Sequence, residues 1–304
     1  MTQRFISQHL LILTTRGVFL PAVMGGNTRI FASVCLLLCW MLLIHPVRGG
    51  NPPSQVFGTD VGTQTEVTTI PLDMSEKAVD DMYFGCTEQM TNENKDKDER
   101  GRKFDECIEK AKKTKHEGLH TKHIQALCTY TSDGLYGDFN TAVREGKDKY
   151  LDKNFRYNSL HFWLTDAIQI LNKDLSRTKK CLTVYRRTTV KFIGEENKII
   201  RLGSFSSTSH RTDLTDFGKE TCFVIETCLA AYVADYSSYN QEEVLIPPYE
   251  TFKITKKIEN NKDKPAGLTD CKVVYELKHA GGKSVLNCKT SGVAAAAREV
   301  TQQN

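Results

Sequence analysis

Three short, separated segments carry side chains that could act together on a charged small molecule. VYRRT (184–188) contains an arginine pair, GSFSSTS (203–209) is rich in hydroxyl groups, and QEEVLIPPYE (241–250) contains three acids. A guanidinium can bind an anion through a charged fork, and a fixed carboxylate can stabilise positive charge that develops during a reaction. Each segment alone also has a structural explanation: a solvated arginine pair, a polar edge strand, and an acidic turn before a strand that prolines end. Only their combination would make a site.

A different candidate is HEGLH (116–120), which matches the HExxH pattern of two zinc-binding histidines one helical turn apart. Gly118 weakens the helix that this pattern needs, and the flanking lysines would place cations beside the metal. His123 does not have the spacing of a third ligand in an extended zinc pattern. We therefore expect no metal site. The chain also lacks a GxGxxG or Walker-type loop, so a Rossmann or P-loop nucleotide site is not expected.

The composition is that of a folded protein without a global charge bias. Of the 304 residues, 39% are apolar and 26% are charged, which is enough for a substantial core. The formal charge is +4, but residues 1–49 contain four arginines and no acid. Residues 50–304 therefore carry 37 basic and 37 acidic side chains and are formally neutral. This balance gives no reason to expect nucleic-acid binding.

Residues 1–49 have the order of a secretory signal peptide. Arg29 precedes the apolar run 30–44, which is followed by Pro46 and small residues. Fifteen helical residues span about 22 Å, which is short of a ~30 Å bilayer core. A cleaved signal is therefore favoured over a type II membrane anchor. Met24 lies just before the basic and apolar regions, so it is an alternative start.

The hydrophobic patterns place helices before strands. Spacings of three and four predict a helix that begins near Asn158 or Ser159, with an apolar face formed by Leu160, Trp163, Leu164, Ala167, Ile168 and Leu171. After Cys181, short β-branched and aromatic runs alternate with polar or Gly/Pro breaks. Because no strand–helix alternation follows, a doubly wound parallel sheet is not expected. The sequence therefore predicts an α+β fold.

Taken together and in this order, the three segments resemble the Arg-Ser-Glu site of the vertebrate ecto-mono-ADP-ribosyltransferases. The resemblance runs from about Pro71 to Cys288 and includes LDMSEKAVDDMY, HIQALCTYTS, SLHFWLTDAI, FGKETCF and EVLIPPYE. It implies an N-terminal helical part followed by a mainly antiparallel β core of the ADP-ribosyltransferase type. It also implies cleavage of the nicotinamide–ribose bond of NAD(P) and transfer of ADP-ribose to protein arginine or to water.

The resemblance assigns roles to five residues. Glu243, as the last acid of the Glu-x-Glu motif, would stabilise the oxocarbenium-like ribose. Arg186 would hold the NAD phosphates, and Ser207 would position the glutamate and the nicotinamide ribose. Tyr130 and Ser237 resemble positions that contact NAD. NAD is thus expected as a substrate, and this chemistry requires no metal.

Position 241 departs from the pattern of the arginine-specific members, which carry Glu where this chain has Gln241. Because residues two apart on a strand share a face, Gln241 should line the site with Glu243 while Glu242 points away. An amide supplies no negative charge to bind or activate an incoming guanidinium. This predicts weakened arginine transfer and relatively more NAD glycohydrolase activity.

Two further positions, 187 and 217, also carry expectations. Arg187 stands where many family members have Gly, and we expect it to face solvent, the alternative being an added phosphate contact. Phe217 is expected to be a core aromatic rather than a neighbour of the nicotinamide.

Eight cysteines lie outside the apolar leader, and an even number in a secreted body suggests up to four disulfides among 105 possible pairings. The resemblance suggests two pairs, Cys181 with Cys228 and Cys86 with Cys288. It leaves open the pairing of Cys107, Cys128, Cys222 and Cys271.

The expected organisation has four parts: a signal peptide or leader (1–49), a flexible mature N-terminus (50–70), a single ADP-ribosyltransferase domain (71–288, mainly helical to 180 and mainly β from 181), and a tail (289–304) without the apolar stretch of a GPI signal. The mature protein is expected to be a secreted, extracellular enzyme with no stable membrane anchor. The competing hypothesis is a catalytically silent secreted binding protein that keeps the fold.

Overall fold

A computed structural model of the chain describes residues 69–94, 109, 113, 118–132, 135–178, 180–237, 239, 241–291 and 298–300. All of these residues belong to one compact unit that spans residues 64–304. The expected signal peptide lies outside the described residues.

Helices precede the main sheet, as the patterns predict: α1 (Thr87–Asn94), α2 (Thr121–Thr131), α3 (Tyr136–Glu145), α4 (Lys147–Leu151) and α5 (Asn158–Thr178). The helix predicted near Asn158 is α5. Its apolar stripe is buried at Leu160, Trp163, Leu164, Ala167 and Ile168. Each fully buried leucine or isoleucine contributes about 1.5–3 kcal/mol through the hydrophobic effect, so this stripe fixes α5 against the core.

The strands are β1 (Thr69–Pro71), β2 (Leu182–Thr188), β3 (Lys191–Ile193), β4 (Ile199–Arg201), β5 (Ser206–Ser209), β6 (Thr221–Thr227), β7 (Ala231–Tyr232), β8 (Glu243–Ile246), β9 (Glu250–Ile258), β10 (Val273–Ser284) and β11 (Arg298–Val300). The main sheet has the order β4-β9-β10-β6-β2-β5-β8-β7, and β11 also pairs with β10. Within it, β10 and β6 are parallel and the other pairs are antiparallel. The predicted α+β fold with a mainly antiparallel core is confirmed.

Strand β8 is buried on both faces of the sheet. Leu245 packs in a core cluster that includes the helices, whereas Val244 and Ile246 belong to a second cluster built mainly from strand residues. Alternate residues of a strand point to opposite faces, so an uninterrupted apolar run is the pattern expected for a strand covered on both sides. The EVLI run therefore places Glu243 at the start of a strand that is covered on both faces.

Disulfides join distant parts of this fold. The predicted pairs Cys86–Cys288 and Cys181–Cys228 are confirmed, and a third bridge joins Cys222 to Cys271. Cys128 is also disulfide-bonded, while Cys107 lies outside the described residues. Each bridge is worth about 2–4 kcal/mol, chiefly because it restricts the unfolded chain.

The acid at the end of EVLIPPYE has a structural role. Glu250 is fully buried and accepts hydrogen bonds from the Thr227 hydroxyl and from the backbone N–H groups of Cys228 and Leu229. Its Oε1 also lies 2.7 Å from Nδ1 of His279. Glu250 thereby orders the turn between β6 and β7, next to the strand that carries Glu243.

Candidate active site

Three adjacent strands bring the candidate residues into one cavity of about 380 Å³. Arg186 lies on β2, Ser207 on β5, and Glu243 is the first residue of β8. Strand β5 pairs with both neighbours, and its Ser209 faces Tyr185 on one side and Glu243 on the other. An arginine, a serine and a glutamate from separate parts of the sequence therefore line the same cavity.

Arg186 supplies a cation that its protein partners leave largely available. Its Nη1 donates to the carbonyl oxygen of Ser207 at 2.6 Å. Burial lowers the pKa of the guanidinium, while the nearby Tyr130 and Glu243 act in the opposite direction. An arginine stays protonated in proteins, so the group keeps its charge. Among the described residues, no carboxylate forms an ion pair with Arg186, and its charge is therefore directed to the cavity.

Glu243 supplies the corresponding anion. The residue is only 7% exposed, and burial raises the pKa of its carboxyl group. Hydrogen bonds with the Ser207 and Ser237 hydroxyls, and the charge of Arg186, oppose this rise. A carboxylate with little water around it acts strongly on nearby positive charge. The pair of serines thus holds a concentrated negative charge in a fixed position.

The Tyr130 hydroxyl belongs to the same hydrogen-bond network. It donates to the Phe205 carbonyl oxygen and accepts from Nδ2 of Asn140 at 3.0 Å. It also shares a hydrogen bond with the Ser207 side chain. Asn140 lines the cavity, and its buried Oδ1 has no hydrogen-bond partner among the described residues. The sequence patterns did not single out Asn140, because a polar residue of an amphipathic helix carries no signal of a distant cavity.

Gln241 and Glu243 both line the cavity, whereas Glu242 is exposed. The expected orientation thus holds, but for a different reason. Strand β8 begins only at Glu243, and Glu242 has a φ of +48°, in the left-handed region. The backbone is held there by a hydrogen bond from the Ser209 hydroxyl to the Gln241 carbonyl oxygen. A turn, and not strand alternation, therefore directs Gln241 to the cavity.

The expectations for Arg187 and Phe217 are wrong. Arg187 is 7% exposed and its guanidinium pairs with Asp270 at 2.9 Å, so it does not face solvent. Phe217 is 49% exposed and lines the cavity, so it is not a core aromatic. Phe217 lies in the loop between β5 and β6, and the partners of Arg187 lie in that loop (Thr212) and in the segment before β10 (Gly267 and Asp270). The local sequence does not specify the path of either segment.

The described part of the HExxH match, residues 118–120, is not helical. Gly118 has a φ of +85°, and α2 begins at Thr121, so His120 precedes the helix. His123 is buried, accepts from the His120 backbone N–H at 2.9 Å, and lies 2.8 Å from Asp166. In the part of the chain that the structure describes, no group of three His, Cys, Asp or Glu could hold a metal ion. His116 lies outside that part.

The sequence profile of the NAD:arginine ADP-ribosyltransferase family matches residues 72–270. Chicken (Gallus gallus) NAD(P)(+)--arginine ADP-ribosyltransferase 2 is 32% identical over 240 residues, 72% of this chain and 75% of that protein. Human ecto-ADP-ribosyltransferase 4 is 32% identical over 304 residues, 92% of this chain and 88% of that protein. A mutant of the mono-ADP-ribosyltransferase ART2.2 in complex with NADH superposes with a TM-score of 0.52 and 29% identity, covering 69% of this chain and 93% of that one.

Proposed function

Because the chain belongs to the NAD:arginine ADP-ribosyltransferase family, we propose that Arg186, Ser207 and Glu243 carry out its NAD-dependent mono-ADP-ribosyl transfer. The observation that carries this assignment is their meeting in one cavity, with a buried carboxylate that two serine hydroxyls hold. NAD is the substrate of the reaction. The intact set of three also disfavours a catalytically silent binding protein.

The reaction breaks the bond between the anomeric carbon of the ribose and the nicotinamide nitrogen. The electron pair leaves with nicotinamide, which becomes neutral, and positive charge develops on the ribose. The Glu243 carboxylate stabilises that charge, and Ser207 keeps the carboxylate in place. Arg186 binds the anionic diphosphate, because its fork is not neutralised by a carboxylate in the described part of the chain. Tyr130 and Ser237 support Ser207 and Glu243 through hydrogen bonds.

The acceptor preference follows from the charge around Gln241. Among the described residues that line the cavity, three are arginines, whereas Glu243 is the one acid. Arg187 and Arg211 are already paired with Asp270 and Asp213, so the acids decide the preference. Gln241 offers an amide in place of a carboxylate, so an incoming arginine side chain finds no second acid beside Glu243 among these lining residues. We propose that transfer to protein arginine is weak and that water takes a larger share of the ADP-ribose.

Labelled NAD with agmatine as the arginine analogue tests this preference. We expect wild-type protein to release mainly free ADP-ribose, and Gln241→Glu to shift the product toward ADP-ribosyl-agmatine by about tenfold. Glu242→Gln is the matched control, because Glu242 is exposed beside the site and should leave the product ratio unchanged. Efficient agmatine labelling by the wild type, with no change in Gln241→Glu, would contradict the role of Gln241.

We further propose that the catalytic domain spans residues 71–288 and acts in an oxidising, extracytoplasmic compartment. Three disulfides among the described residues support this placement, since such bonds persist chiefly in oxidising environments. The human relative is an ecto-enzyme by name. Within the described residues, no helix has the length and apolar character needed to cross a bilayer.

A further inference from the structure

The guanidinium of Arg187 is saturated by protein acceptors. Its Nε donates to the Thr212 carbonyl oxygen at 2.8 Å, and Nη2 donates to the Gly267 carbonyl oxygen at 2.6 Å. The carboxylate of Asp270 accepts from both terminal nitrogens, and Sγ of Cys271 lies 3.4 Å from Nη1. All five N–H groups therefore have an acceptor, which leaves no donor for a ligand.

The first of these acceptors lies in the loop 210–218, which forms part of the cavity wall. Arg211, Leu214 and Phe217 of this loop line the cavity. The backbone hydrogen bonds donated by Thr215, Phe217 and Gly218 all go to acceptors inside the loop. The backbone N–H groups of His210 and Arg211 bind Glu242 and the Ser209 hydroxyl at the start of the loop, and the bond from Arg187 ties the next residue, Thr212, to β2.

The other acceptors lie in the turn 265–271, which is itself fixed. The Cys222–Cys271 disulfide binds the end of this turn to β6, and Lys219 lies 3.2 Å from the carboxylate of Asp270. The turn and the loop are in direct contact, because a Cβ added to Gly267 would lie 2.2 Å from Oγ1 of Thr212. Arg187 thus connects a covalently anchored turn to the cavity wall.

We propose that Arg187 is a positioning residue that holds the loop 210–218 as a preformed wall of the NAD site, with Asp270 as its counter-ion. The inference rests on the proposed function of the cavity. A loop that is already ordered loses little freedom when a ligand binds, whereas a mobile loop must be ordered by the ligand. Arg187 therefore sets the affinity for NAD and leaves the rate of bond cleavage to Arg186, Ser207 and Glu243.

Steady-state nicotinamide release separates these two effects. In Arg187→Lys a single ammonium cannot reach all of the acceptors of the planar fork, so we expect the KM for NAD to rise about tenfold while kcat changes less than about twofold. Asp270→Asn should raise KM about threefold, because Asp270 is one-third exposed and its charge is partly screened. The effect of the double variant should be smaller than the product of the two single effects.

Arg201→Lys is the control for general destabilisation. Arg201 is a buried arginine paired with Asp80, and it is not a lining residue of the cavity. This variant should lower thermal stability and leave the KM unchanged. An unchanged KM in both Arg187→Lys and Asp270→Asn, or a loss confined to kcat, would overturn the proposal. If Arg187→Lys does not fold, Asp270→Asn decides.

Hydrogen exchange in the NAD-free protein tests the loop without any turnover. We expect amides of residues 211–218 to exchange faster in Arg187→Lys and Asp270→Asn than in wild type, and to be unaffected in Arg201→Lys. Unchanged protection of this loop would overturn the positioning role. Faster exchange in a protein that does not turn over NAD would support the loop contact and contradict the proposed function, so the two failures are distinguishable.

Discussion

Two adjacent arginines of β2 have different surroundings. Arg186 donates one described hydrogen bond, to the Ser207 carbonyl oxygen, and no carboxylate pairs with it among the described residues. Arg187 has acceptors for all five N–H groups, including the carboxylate of Asp270. The degree of hydrogen-bond satisfaction thus distinguishes Arg187, whose charge is used within the fold, from Arg186, which we propose binds a ligand.

Two of the three glutamates of QEEVLIPPYE, Glu243 and Glu250, repeat this contrast. Glu250 is fully buried and accepts hydrogen bonds from Thr227, Cys228 and Leu229, with His279 also in contact. Glu243 has serine hydroxyls as partners, and burial raises the pKa of its carboxyl group. The hydrogen-bond donors around Glu250 stabilise its carboxylate within the fold. The carboxylate of Glu243 is buried with fewer partners, so positive charge in the cavity would stabilise it further.

Replacing the two glutamates should give the largest difference. Glu243→Gln should reduce NAD cleavage on the order of 10³-fold, because it removes the charge that we propose stabilises the ribose cation. It should keep its thermal stability, since a desolvated charge is replaced by a neutral group of similar shape. Glu250→Gln should instead lower the melting temperature and keep activity per folded molecule. Nicotinamide release and calorimetry check both, and retained cleavage in Glu243→Gln would contradict the assignment of Glu243.

Replacing Arg186 should have the next largest effect. Arg186→Lys keeps a positive charge but loses the planar fork, so we expect kcat/KM for NAD to fall on the order of 100-fold. The expected tenfold loss in Arg187→Lys comes from KM alone. Equal losses in the two variants, measured side by side, would remove the distinction between the two arginines.

The pH dependence should show the smallest effect. In the proposed mechanism cleavage needs the Glu243 carboxylate ionised, and its raised pKa means that ionisation is completed at a higher pH than for an exposed glutamate. The acid limb of kcat/KM should therefore lie above the ordinary range of a glutamate, and activity should fall as pH decreases through it. Ser237→Ala removes a hydrogen bond that favours the charged form, so the limb should move to still higher pH. If the acid limb of kcat/KM does not move in Ser237→Ala, a group other than Glu243 controls it.

Much of the fold and part of the site were predictable because their signals are local. The apolar positions of α5 recur with a 3.6-residue period, and those of β8 form an uninterrupted run. Each pattern predicts burial from a few neighbouring residues. The positions of Arg186, Ser207 and Glu243 followed from the resemblance of short motifs. Asn140, by contrast, became visible only when α3 was packed beside Tyr130, since no local pattern encodes that contact.

The sequence by itself determined the order of helices and strands, the identity of the charged groups, and the amide at Gln241. Tertiary structure alone decided that Arg187 is buried, that Phe217 is exposed at the cavity, and that Cys222 pairs with Cys271. The physical reason is the distance along the chain between interacting residues. Periodicity and residue type act over a few neighbouring positions, whereas the partners of Arg187 lie 25 to 84 residues away and meet it only after the sheet has formed.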